Sequence, residues 1–502
     1  MTSTLLLGKT APPALAPVEL NARMGNRHGL VAGATGTGKT VSLLALAEGF
    51  SRIGVPVFMA DVKGDVAGIA MAGTPDERVR SRVATLGLAD HAPEANPAIL
   101  WDLFGEAGHA IRATVSEVGP ILLARMLELN DTQAGVLDIA FRLADDEGLL
   151  LLDLEDLRAV LGYLADQRKA VSAKYGLVSA PSIAAIQRAL LRLESDGGRR
   201  FFGEPALDIA DLMRTTPDGR GVIGVLAADS LVLKPRLYST FLLWLLSELF
   251  ERLPEVGDLD RPKLVFVFDE AHLLFADAPP ALRQRVEQVV RLIRSKGVGV
   301  YFCSQFPDDV PGEILGQLGN RIQHALRAFT PRDQKAVRVA AETFVPNPAI
   351  DVASALTQLA TGEALVSVLS TSGIPSPVER VLIAPPRARI GPITPAERQH
   401  LRATSPVGAR YDQALDRDSA AEMLARRADA ATARPPADTP AGTAKGDDNG
   451  STRGVGDAVK DAVFGTSRRQ GMIETMAKQT MRTVGNQLGR QIVRGLLGGR
   501  RR

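Results

Sequence analysis

The chain has 502 residues, of which 45% are hydrophobic and 23% charged, with a formal net charge of +2. Such a length admits two or three domains and a large core. The near-zero charge excludes the global basicity that marks nucleic-acid-coating proteins, so any such reading rests on local charge. One cysteine, Cys303, excludes an internal disulfide and fits a reducing compartment. The N-terminus lacks the basic region and long apolar core of a secretory signal. The longest strongly apolar run, residues 241–246, is far too short to span a bilayer. The expected location is the cytoplasm, with no transmembrane segment.

The first informative element is an apolar strand at residues 28–32. It runs into Gly33-Ala34-Thr35-Gly36-Thr37-Gly38-Lys39-Thr40, a complete G-x-x-x-x-G-K-[ST] loop, and then into a helical run at 41–47. Strand, loop and helix in that order are the context a phosphate loop requires. Its glycines let backbone N–H groups curl around nucleotide phosphates at a helix N-terminus. Lys39 is expected to reach the β- and γ-phosphates, and the Thr40 hydroxyl to ligate Mg²⁺.

Further apolar runs read as buried strands at 55–60, 222–226, 264–268, 298–303, 321–328, 364–369 and 381–384. Several end in a polar residue: Asp61, Asp269, Ser304. Helical periodicity lies between them, at 238–253 and 282–294. The alternation predicts an α/β fold with a mainly parallel sheet and helices on both faces. Residues 121–129, 135–143, 154–166 and 183–193 read as helices with few strand signals around them. The expected organisation is therefore an α/β core in two parts, 1–89 and 216–390, divided by a helical insertion at 90–215. A helical extension (391–430), a flexible linker (431–454) rich in Ala, Pro, Thr, Gly and Asp, and a basic amphipathic C-terminal helix (455–502) follow. In that helix Met472, Met476, Thr480, Val484, Leu488, Ile492 and Leu496 recur every fourth residue. Such a stripe needs a partner, with subunit docking the favoured reading.

The strand at 264–268 ends in Asp269 and Glu270. A phosphate-loop enzyme needs an acid at such a tip to hold Mg²⁺ through its water shell, and Asp269 fits. The next carboxylate can polarise the attacking water, which makes Glu270 the candidate general base. Asp269-Glu270-Ala271-His272 spells the DEAH of a large helicase class. Those enzymes need a second RecA-like domain with its own arginine motif, and no copy is present, so His272 reads as a packing residue. Gln305, at the tip of the next strand, would sense the γ-phosphate or orient the water. An arginine finger has candidates in Arg291, Arg294, Arg321, Arg327 and Arg332; acting in trans, it would require an oligomer.

These motifs, together with Asp61-Val62-Lys63-Gly64-Asp65, Leu129-Asn130-Asp131-Thr132-Gln133, Leu318-Gly319-Asn320-Arg321, the stretch from His324 to Thr330 and Gly362-Glu363-Ala364-Leu365-Val366, resemble the HerA–FtsK superfamily of ATPases. Within it, the bacterial HerA-like proteins are most similar, over nearly residues 1–390. The resemblance implies a RecA-like core in a homo-hexameric ring, with ATP and Mg²⁺ bound between subunits and double-stranded DNA moved through the channel. It implies Lys39 and Thr40 on phosphate and Mg²⁺, Asp269 on Mg²⁺, Glu270 on water, Gln305 as sensor, and Arg321 as finger with Arg294 second. It also admits a nuclease or other DNA-processing partner. Archaeal members carry an N-terminal β-barrel; with about 27 residues before the first expected core strand, that barrel is expected to be missing. The alternative is a phosphate-loop ATPase acting on a protein or membrane-associated substrate, with the basic tail as anchor.

Overall fold

The structure is a computed structural model that describes residues 3–74, 76–275 and 280–432. The expected tail helix (455–502) and the linker from residue 433 lie outside the described residues. The described strands are β1 (Thr4–Thr10), β2 (Pro17–Asn21), β3 (Gly29–Ala32), β4 (Val57–Asp61), β5 (Ala98–Asp102), β6 (His109–Ala110), β7 (Ile223–Ala227), β8 (Leu264–Phe268), β9 (Val298–Ser304), β10 (Asn320–Gln323), β11 (Glu363–Ser367) and β12 (Glu379–Ile383). They form one sheet in the order β2-β1-β12-β11-β10-β3-β9-β8-β4-β7-β5-β6. The eight strands from β10 to β6 are parallel. The other four extend the sheet in antiparallel fashion.

A parallel strand covered by helices on both faces has no solvent side, so its sequence is continuously apolar. β3, β4, β8 and β9 are buried at every residue. Because successive side chains point to opposite faces, Leu264, Phe266 and Phe268 of β8 feed one core while Val265 and Val267 feed the other. The first core also takes Leu137, Leu157, Leu161, Ile186 and Leu190 from the helices Asp131–Glu147, Leu154–Asp166 and Ala180–Ser195. The second takes Leu43, Leu44, Leu46 and Phe50 from the helix Lys39–Arg52 that follows the phosphate loop.

Three differences from the sequence reading have physical causes. β1 and β2 precede the expected first strand. Leu5 and Leu7 of β1 alternate inward, and Gly8 lets β12 approach: a Cβ there would lie 2.1 Å from the Leu382 carbonyl oxygen. Within the region read as helical, β5 and β6 belong to the sheet; Ile99, Leu100 and Trp101 are one short buried run among amphipathic helices. The strand expected over 321–328 stops at Gln323. Beyond it the Ala325 carbonyl accepts from Ala34 N at 2.9 Å, and Leu326 N donates to the Leu356 carbonyl at 3.0 Å, so the chain leaves the sheet to brace the phosphate loop.

The helices Pro395–Ala403, Gly408–Tyr411 and Ala420–Thr432 follow the last strand. The buried Tyr411 ring packs edge-on against Trp101 of β5 at 5.3 Å, its hydroxyl donates to Asp211 Oδ2 at 2.7 Å, and Asp412 meets His109 Nδ1 of β6 at 2.9 Å. Among the described residues no helix is long and apolar enough to cross a membrane.

Candidate active site

In an open parallel sheet, ligands bind outside the C-terminal ends of the strands. β3, β9 and β8 are consecutive neighbours, with Ala32 opposite Ser304 and Phe268 opposite Phe302. Their tips therefore bring together the loop 33–40, the half-buried Gln305, and the pair Asp269 and Glu270. β4, next to β8, adds Asp61 and the residues after it.

The loop is built on backbone that side chains resist. Gly36 (φ +78°) faces open space and is required for its dihedral alone; Gly38 (φ +117°) caps the helix Lys39–Arg52. The Lys39 ammonium is buried and donates to the carbonyls of Gly33 (2.6 Å) and Ala34 (3.2 Å). Thr37 Oγ1 donates to the Ala34 carbonyl at 2.7 Å. Thr40 Oγ1 donates to Asp65 Oδ2 at 3.3 Å. Behind the loop, His324 packs its Cβ against Gly33, and its Nδ1 lies 2.8 Å from the Glu363 carbonyl. That contact assigns the ring proton to Nδ1, leaving Nε2 to accept from the Ser42 hydroxyl at 2.8 Å. Burial, aided by the nearby Lys39 charge, pushes the His324 pKa down to about 4.

Asp269 and Glu270 are only 6% and 4% exposed. Burial raises the Asp269 pKa, and the adjacent Glu270 charge raises it further. Glu270 sits in the left-handed region at φ +48°, a conformation that a non-glycine residue keeps only when its surroundings enforce it. Its carboxylate pairs with the Lys63 ammonium on Oε1 and with His272 Nδ1 on Oε2 at 3.2 Å. His272, read as a packing residue, thus touches the candidate base. Burial works against the Lys63 charge, but the Glu270 contact outweighs it and holds the ammonium above the usual lysine pKa. Cys303, beside Asp269 on β9, is a buried thiol pushed well above its ordinary pKa by burial, which makes it unreactive.

Of the candidate arginines, Arg327 is exposed just past the tip of β10, two residues beyond the Ala325 carbonyl that accepts from Ala34 N, whereas Arg294 and Arg321 lie elsewhere. Arg294 is exposed at the opposite end of β9, about 20 Å along a seven-residue strand from Gln305. It shares that end with the Arg27–Asp258 pair. Arg321 is the second residue of β10, opposite Leu30, and its guanidinium donates to the carbonyls of Leu315 (3.1 Å) and Leu318 (3.3 Å) of its own chain. Neither completes the site within one chain.

The residues fit a hard divalent cation. Mg²⁺ is held by one or two carboxylates, hydroxyls and substrate phosphates, not by an all-protein cage. The Thr40 hydroxyl and the Asp269 carboxylate are such donors, and beside them Asp65 Oδ1 is a buried oxygen without a hydrogen-bond partner. Lys63, Asp65, Ser42 and His324 carried no individual role in the sequence reading. The available signal was a polar residue, Asp61, closing an apolar strand one neighbour away from β8.

A phosphate loop, a paired acid and a polar strand tip on adjacent parallel strands define a P-loop nucleoside triphosphatase. Residues 8–502 match the family described as Helicase HerA-like C-terminal. The chain belongs to that family and is a HerA-like P-loop ATPase. It is 32% identical over 120 residues to a protein of Methanocaldococcus jannaschii described as "Probable helicase MJECL08". That stretch covers 23% of this chain and about a fifth (21%) of the relative's length. In fold it is similar to the unbound bacterial conjugative coupling protein TrwB (TM-score 0.50, 16% identity, covering 77% of this chain and 91% of that one). VirB4 of Thermoanaerobacter pseudethanolicus gives a TM-score of 0.48 at 15% identity, covering 79% and 98%. TrwB with ADP and Mg²⁺ gives 0.48 at 16% identity, covering 76% and 92%.

Proposed function

We propose that the protein hydrolyses ATP with Mg²⁺ in a ring of identical subunits, a homo-hexamer, and uses the reaction to translocate or remodel double-stranded DNA in the cytoplasm. The observation that carries the catalytic half is the parallel adjacency of β3, β9 and β8. The loop N–H groups and Lys39 hold the phosphates, Lys39 exchanging the Gly33 and Ala34 carbonyls for phosphate oxygens. Thr40 and Asp269 hold Mg²⁺, which neutralises charge on the phosphates when bound. Glu270 takes the proton of the water that attacks the γ-phosphorus, and ADP leaves; the Gln305 amide orients that water.

The oligomeric half is supported by the arginines. The transition state of phosphoryl transfer calls for added positive charge, and neither Arg294 nor Arg321 stands at the phosphate-loop end of its own sheet. Supplied from a neighbouring subunit, the exposed Arg294 is freer than Arg321, whose guanidinium is engaged by Leu315 and Leu318. DNA as substrate rests on membership of a family described as helicase-like and on the relative described as a probable helicase. The test is ATP turnover with and without duplex DNA across a salt series, alongside the native mass. DNA stimulation that fades with salt and a nucleotide-stabilised hexamer support the reading. A monomer under all conditions, or turnover indifferent to DNA at every salt concentration, overturns it.

A further inference from the structure

The four residues after Asp61 reach two separate parts of the site. Asp61 ends β4, and its carboxylate accepts four backbone N–H groups: Gly64 (2.8 Å) and Asp65 (3.1 Å) on Oδ1, Val66 (3.2 Å) and Ala67 (3.1 Å) on Oδ2. A carboxylate gathering that many donors fixes the course of the turn. The turn then presents two side chains. Asp65 Oδ2 accepts the Thr40 hydroxyl, and the Lys63 ammonium pairs with Glu270.

Each contact constrains the residue it touches. A threonine hydroxyl has one proton and two lone pairs; with the proton committed to Asp65, the lone pairs are free for a cation. The Glu270 carboxylate, on a left-handed backbone, has Lys63 on one oxygen and His272 on the other. These are charge contacts, neither carboxylate oxygen being hydrogen-bonded among the described residues, and they bias the direction in which the carboxylate points while leaving both oxygens able to accept from water.

We infer that the Asp61 turn positions both halves of the hydrolytic site, with Lys63 aiming the Glu270 carboxylate and Asp65 aiming the Thr40 hydroxyl. Asp61 holds the two in register. This rests on the proposed roles of Glu270 as base and Thr40 as Mg²⁺ ligand. Lys63 and Asp65 are positioning residues, since each acts through another side chain.

The test separates two readouts on the full chain. Affinity for a fluorescent ADP is measured once in EDTA and once in Mg²⁺, and kcat and KM for ATP are measured on the same preparations. Asp65→Ala is expected to lower the gain in affinity from Mg²⁺ about tenfold or more while leaving affinity in EDTA within about twofold, with Asp65→Asn, which keeps an oxygen to accept the Thr40 proton, restoring most of the loss. Lys63→Met is expected to leave both affinities within about twofold and lower kcat about tenfold or more, with Lys63→Arg restoring most of the loss. Thermal melting identifies folded variants, and Lys63→Gln replaces Lys63→Met if the latter does not fold. An unchanged Mg²⁺ gain in Asp65→Ala, an Asp65→Asn as impaired as Asp65→Ala, a full kcat in Lys63→Met, or a Lys63→Arg as impaired as Lys63→Met overturns the inference. Full turnover in Glu270→Gln instead overturns the base assignment beneath it, and the Asp65 binding arm remains readable in that case.

Discussion

Ser42, in the first turn of the helix after the phosphate loop, gives its hydroxyl proton to Nε2 of His324 at 2.8 Å, tying that helix to the tip of β10. The contact requires a neutral imidazole, and burial supplies one by pushing the pKa down to about 4. His28, at the other end of the sheet, is likewise buried, pushed to about 4, and accepts from Val300 N at 3.0 Å.

Both histidines bind their proton in the unfolded chain near pH 6.5 and in the fold only near 4. Their stabilisation is therefore complete above about 6.5 and is lost as pH falls from 6.5 to 4, by roughly 3 kcal/mol each. Asp61, pushed by burial up to about 6, and Glu248, pushed by burial up to about 7, run the other way and lose stability as pH rises through those values. The histidine contribution is isolated by comparing variants. Urea unfolding at pH 7 and pH 4.5 should show His324→Gln losing on the order of 2 kcal/mol less than the parent over that interval. Equal losses would contradict a buried neutral His324.

Lys39→Ala should abolish nucleotide binding without unfolding the chain, because the ammonium touches only loop carbonyls. ATP at a hundred times its dissociation constant stabilises a folded binder by about 2.7 kcal/mol. A melting-temperature rise with ATP in the parent, absent in Lys39→Ala, is the expected result.

Tyr411 anchors the segment after the last strand. Its hydroxyl donates to Asp211 Oδ2 at 2.7 Å and accepts from Asp208 N at 3.0 Å. Tyr411→Phe leaves both partners short of a bond and should cost about 1–3 kcal/mol, read as a lower denaturant midpoint. Turnover at temperatures well below melting should be unchanged, since β5 and β6 stand on the far side of β4 and β7 from the phosphate loop.

An arginine acting across a subunit boundary predicts complementation. Lys39→Ala and Arg294→Ala should each be inactive alone. Mixed, they should recover part of the parental turnover, from boundaries that pair an intact phosphate loop with an intact arginine. The same mixture with Arg321→Ala in place of Arg294→Ala reports whether the residue engaged by Leu315 and Leu318 serves that role instead. Recovery in neither mixture would contradict a finger in trans.

β8 and β9 were legible in the sequence because strands buried on both faces are continuous apolar runs closed by a polar residue, and β8 begins and ends where the apolar run 264–268 does. β5 was not, since three buried residues between Pro97 and Asp102 carry no periodicity of their own. Lys63, Asp65 and His324 stood in stretches that carried the family resemblance, but their individual contacts were illegible for another reason. Their contacts depend on β4 lying beside β8 and β10 beside β3, and strand order is written in no local pattern. The motif containing Arg321 fixes its distance from β9 along the chain, but not that it falls near the start of β10 with its side chain turned to the preceding loop.

The most direct test of the hydrolytic site is steady-state ATP turnover of Glu270→Gln beside the parent, with nucleotide affinity measured on both. An unchanged affinity with turnover reduced about 10²-fold or more is the expected result, matching the loss of a general base. Turnover at the parental level would contradict the assignment of Glu270 and, with it, the reading of the β3, β9 and β8 tips as one catalytic site.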